Sequence, residues 1–211
     1  MNGNVLWFVS RATGLVALPL LTLTFVLGIL GPLRVGERRR QRFVVAGLHR
    51  NASLLAVGLV AVHVASTILD GYVHLGWADV VVPGIAGYRT FWTALGTLAL
   101  DLMLLLIGTS LLRPRIPYRL WRAVHWAAYA CWPLAEVHGL GVGTDSRAGW
   151  PLLLALGCLV AALTAAVVRL LSASSARPAS GLTSPSTAPS VPAGVPVPPA
   201  RAVPTTREVR P

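Results

Sequence analysis

The chain has 211 residues, of which 55% are hydrophobic and only 12% charged, with a mean hydropathy of +0.67. That balance excludes a soluble globular domain and makes a polytopic membrane protein the expected class. The net charge of +11 comes from 18 arginines, with no lysine, against seven acids. Most of the arginines flank apolar runs or lie near the C-terminus, so they point to a membrane surface and not to nucleic acid as partner.

Taken in order, Val5 to Leu30 is the first apolar run, interrupted near its start by Arg11. No positive segment precedes it and no small-residue cleavage site follows, so it reads as a retained helix and not a signal peptide. The next stretch, Pro32 to Arg42, carries five arginines and one acid. The positive-inside rule assigns it to the cytoplasm and the N-terminus to the outer side. The second span runs from about Phe43 to Leu69 and holds His49 and His63.

Residues 70 to 90 are broken by glycine and proline and form an outer loop, with Trp77 and Tyr88 suited to the interface and His74 on its surface. The third span, Phe91 to Leu112, carries Asp101 near its centre and ends at the basic, proline-punctuated run Arg113 to Arg119. The fourth, about Leu120 to Leu140, holds His125 and His138 with Pro133 between them. A short outer loop containing Thr144-Asp145-Ser146 leads into the fifth span, Trp150 to Leu171. From Ser172 to Pro211 the composition shifts to Ser, Ala, Thr, Val and Pro, nine of the 16 prolines following Arg177, which reads as a disordered cytoplasmic tail. Cys131 and Cys158 lie inside predicted spans without a C-x-x-C. They read as packing residues, with no disulfide framework, zinc site or covalent haem attachment indicated. The expected fold is an all-α bundle of about five transmembrane helices over residues 1–171.

Four histidines organise this bundle. His49 and His63 are 14 residues apart, and His125 and His138 are 13 apart. At the helical rise each pair separates by about 20 Å, placing one ring near each face of a hydrocarbon layer about 30 Å thick. Spans two and four run in the same direction, so His49 and His125 share the cytoplasmic level and His63 and His138 the outer level. Neutral imidazole is the commonest protein ligand for metal or haem iron, and the pattern offers two bis-histidine irons stacked across the membrane. A structural zinc ion would ask for further Cys or carboxylate ligands at each level. Fourteen residues return almost to the same helical face but 13 fall short of it. The expectation is that a kink at Pro133 turns His138 back toward its partners.

These paired histidines, with His49-Arg50 beginning the first pair and the run Trp121-Arg122-Ala123-Val124-His125-Trp126-Ala127-Ala128-Tyr129, resemble the ferric reductase-like transmembrane domain. That domain is shared by ferric reductases, the membrane part of NADPH oxidases and bacterial haem-binding membrane subunits of methionine sulfoxide repair. The resemblance covers roughly residues 5–171. It implies two b-type haems, the inner on His49 and His125 and the outer on His63 and His138. The chain departs from the best-known members in showing five spans where they usually have six, and in lacking fused flavin and nicotinamide domains. A separate donor is therefore implied.

Anionic haem propionates would be met by guanidinium groups, for which Arg11, Arg50 and Arg122 are nominated; the alternative for Arg50 and Arg122 is anchoring of helix ends at headgroups. Asp101 either relays a proton or balances charge, or simply bonds a neighbouring helix. Glu136 and Asp145 flank His138, as sites for an incoming ferric ion or proton or as solvated interfacial acids. The functional expectation is electron transfer from a cytoplasmic flavoprotein or a membrane quinol to an outer acceptor such as ferric iron, oxygen or an oxidised protein. Two alternatives stand beside it: a haem-binding subunit feeding an extracytoplasmic methionine sulfoxide reductase, and a non-redox haem-sensing or structural membrane protein.

Overall fold

Backbone inside a bilayer must satisfy its own N–H and C=O groups, which for a single apolar run means a helix. The computed structural model describes residues 3–31, 39–71, 73–143 and 149–175, with side chains over 5–31, 43–71, 73–143 and 149–172, and among them the only regular elements are helices. Four are long: α1 (Gly3–Leu30), α2 (Arg39–Leu69), α4 (Thr90–Leu111) and α7 (Gly149–Ser175). Each contains an apolar stretch of between 22 and 27 residues, enough to cross a hydrocarbon core of about 30 Å. The chain is an all-α integral membrane protein.

The first, second, third and fifth predicted spans coincide with these helices. Helix α2 begins four residues earlier than the apolar run, inside the basic stretch, and α7 continues to Ser175, past the predicted end of the span. The remainder of the basic loop (32–38), residues 144–148 with Asp145, and the tail from 176 onward lie outside the described residues, as do the expectations made for them. Between α2 and α4 the connecting loop contains one short helix, α3 (Trp77–Val81), and His74 there is exposed with a left-handed backbone, φ 50°.

The fourth span is where structure and expectation differ. It is not one kinked helix but two, α5 (Tyr118–His125) and α6 (Ala128–Val142), and the break falls at Trp126-Ala127, not at Pro133. Pro133 sits within α6. The break is tightened by i→i+3 hydrogen bonds: Trp126 N–H to the Ala123 carbonyl, Ala127 to Val124, Tyr129 to Trp126 and Ala130 to Ala127, at 3.2, 2.8, 3.0 and 3.0 Å. Such steps turn about 120° instead of about 100°, so four of them recover about 80° of the roughly 140° by which 13 α-helical residues miss a whole number of turns. The chain is therefore overwound at this break, and the helix is not interrupted at Pro133.

Helix α1 is the common partner of α2, α6 and α7, and α4 packs on α6. Ala17 of α1 and Ala52 and Ala56 of α2 are buried, and small residues allow helices to approach closely where lipid supplies no hydrophobic drive. A second contact region joins Leu18 of α1, Trp132 of α6 and Ala155, Cys158 and Ala162 of α7. There the Trp132 indole N–H donates to Thr22 Oγ1 (2.9 Å), which donates in turn to the Leu18 carbonyl (2.9 Å). Both cysteines are free and buried. Among the described residues α2 shows no comparable packing with α6, although these helices carry three of the four histidines.

Candidate functional site

At the level expected to be the outer one, the rings of His63 and His138 lie with centroids 6.4 Å apart and planes at 80°. Each ring is held from behind. His63 Nδ1–H donates to the Ser10 carbonyl of α1 (2.7 Å), with Ser10 Oγ 3.3 Å away and itself 2.6 Å from Thr67 Oγ1. His138 Nδ1–H donates to the Trp92 carbonyl of α4 (2.8 Å). A carbonyl only accepts, so Nδ1 carries the proton in both rings and Nε2 is left as the lone-pair nitrogen, the tautomer a metal ligand needs. A cavity of about 310 Å³ is lined by both rings together with Trp7, Ser10, Arg11 and Thr67. Arg11 is half-buried and lies over the Trp7 ring at 5.2 Å.

The inner level repeats half of this construction. His49 Nδ1–H donates to the Thr24 carbonyl of α1 at 3.0 Å. His125, the last residue of α5, has His49 and Arg113 as its electrostatic neighbours, and its ring stacks on Trp121 (4.8 Å, 24°). Arg113 lies over the Trp121 ring at 4.6 Å. Buried polar atoms are almost always hydrogen-bonded. Yet His125 Nδ1, Trp121 Nε1 and Thr24 Oγ1 are buried without a partner among the described residues, and all three belong to this level.

The His63 and His138 pair is chemically suited to hold one haem iron. Two imidazoles on one iron, with metal–nitrogen bonds of about 2 Å, place their ring centres about 6 Å apart, which is the outer separation. Among the described residues no three His, Cys, Asp or Glu side chains converge.

The other nominated residues divide. Arg11 lines the outer cavity, whereas Arg50 and Arg122 are exposed. Asp101 is half-buried in α4 and does not line the cavity. Glu136 corrects the reading of a solvated interfacial acid: it is 3% exposed and neither carboxylate oxygen has a hydrogen-bond partner among the described residues. The reason is helical phase, since Glu136 follows Trp132 by one turn and shares its buried face. Sequence reasoning already set Trp121 among the aromatic residues packing around haem or lipid, and here it stacks on His125; it missed Arg113 and the three carbonyl acceptors. A backbone acceptor carries no residue signature, but Arg113 at the end of the third span was available from its position.

A family model described as "ferric reductase like transmembrane component" matches residues 13–135, more than half of the chain. The match takes in His49, His63 and His125 and ends before His138. No curated protein and no solved structure gives a match.

Proposed function

Because the chain belongs to the ferric reductase-like transmembrane component family, we propose that it passes electrons across its membrane by holding two b-type haems, the inner between His49 and His125 and the outer between His63 and His138. The observation that carries this reading is the facing of His63 and His138 at 6.4 Å, each with its Nδ1 proton on a carbonyl of a neighbouring helix. Haem, when bound, supplies one-electron redox chemistry at its iron. The chain supplies the rest. The carbonyls of Ser10, Thr24 and Trp92 fix three imidazoles in one tautomer and raise the basicity of the opposite nitrogen. Arg11 at the outer level, and Arg113 with the Trp121 N–H at the inner, provide the positive and donor groups that propionates require. The surrounding apolar helices keep water out.

The arginine-rich segments beside α1 and α2, and between α4 and α5, support a cytoplasmic placement of the inner level, with the N-terminus outside. With the interior negative, an electron moving fully outward gains about 2.3 kcal/mol per 100 mV. The donor is then a cytoplasmic flavoprotein or a membrane quinol, and the acceptor an outer oxidant such as ferric iron, oxygen or an oxidised protein. The test is a reduced-minus-oxidised spectrum with haem counted per chain, followed by His63→Ala and His138→Ala. Two reversibly reducible b haems are expected, with either substitution removing one and sparing the other. No haem in chain purified from haem-sufficient cells overturns the reading, and a single readily lost haem favours sensing instead.

A further inference from the structure

For three of the four histidines the ring enters a neighbouring helix at the same kind of place. The acceptor carbonyl belongs to residue i, and residue i+4 is glycine: Ser10 and Gly14 for His63, Thr24 and Gly28 for His49, Trp92 and Gly96 for His138. A helical carbonyl points toward residue i+4, so a side chain there flanks the oxygen. A Cβ added at Gly96 would stand 2.5 Å from His138 Nδ1, one at Gly14 3.0 Å from His63 Nδ1, and one at Gly28 3.4 Å from His49 Cε1.

Glycine is common in membrane helices for close backbone packing, and that ordinary role makes a different prediction. Gly47, Gly58, Gly108, Gly139 and Gly157 have nothing within 4 Å of an added Cβ. At Gly14, Gly28 and Gly96 what stands nearest is not the backbone of another helix but an imidazole. The 14-residue separation of Gly14 and Gly28 in α1 also equals that of His63 and His49 in α2, with the order reversed as the helices run back along each other.

Resting on the haem-ligand reading above, we infer that Gly14, Gly28 and Gly96 are positioning residues, notches that admit one imidazole each to a helix carbonyl and so set the direction of its Nε2. The outer level has two notches, Gly14 and Gly96, and the inner level has one. His125, which has no carbonyl acceptor, has no notch.

The test uses the full chain in detergent with its haem. Gly14→Ala, Gly28→Ala and Gly96→Ala are compared with Gly58→Ala by haem content and by the low-spin ferric signals in electron paramagnetic resonance. The two signals are assigned to their levels with His138→Ala and His49→Ala. Gly96→Ala is expected to shift or abolish the outer signal and leave the inner one in place. Gly14→Ala moves the same signal less, Gly28→Ala moves only the inner signal and least of the three, and Gly58→Ala moves neither. The retained signal reports that the variant is folded. Should Gly96→Ala fail to fold, Gly14→Ala carries the test, because its 3.0 Å contact asks the ring to give by only a few tenths of an ångström. Unshifted signals in the three variants of a chain holding two haems, or equal loss of both signals in any of them, overturn the inference alone. A wild-type chain with no haem overturns the functional reading itself.

Discussion

An imidazole has two ring nitrogens, and what is done to one decides what the other can do. Three of the four histidines here spend Nδ1–H on a carbonyl of an adjacent helix, and the sequence contains no sign of which carbonyl that is. The levels of the histidines were legible, because helical rise is a property of spacing. Their acceptors were not, since every residue has a carbonyl. Glu136 shows the limit in another way. Two residues from His138 in sequence, it points away from the cavity and into the contact of α6 with α1 and α7. A buried acceptor without a partner costs about 1–3 kcal/mol, so Glu136→Met, similar in size and apolar, should stabilise the folded chain by about that much in a detergent unfolding titration. Destabilisation of the same size would show that the carboxyl has a partner in the folded protein.

Among the elements, the α5–α6 limb departs furthest from a simple helix. Proline predicts a kink wherever it stands in a helix, yet the interruption lies at Trp126-Ala127, where four i→i+3 bonds overwind the chain. Helix α6 alone has 15 residues, about 22 Å, too short to cross the membrane, so the level of His125 depends on α5 continuing it past the break. If the overwound turn sets the phase between His125 and His138, Pro133→Ala should keep both haems and leave their difference spectrum unchanged. Selective loss of the outer haem in that variant would return the decisive role to proline. Apolar length identified the four long helices correctly. The split in the fourth span escaped, because neither tryptophan nor alanine is a helix breaker and the local hydrogen-bond choice follows from packing around them.

For the molecule as a whole, the contacts that define the bundle lie within residues up to 176. A chain ending at Ser175 is expected to keep its haem content and its melting temperature in detergent. A fluorescent protein fused at that point should fluoresce if the C-terminus faces the cytoplasm as proposed; a dark fusion that is active with a periplasmic reporter would reverse the orientation. The sequence by itself determined membrane residence, the long helices and the two histidine levels, because these depend on hydropathy, length and rise, quantities additive along one chain. Only the tertiary structure decided which rings face one another, which carbonyls hold them, which glycines make room and where the split helix turns. Those depend on the azimuth of one helix against another, and azimuth is set by the side chains both helices bring to the contact.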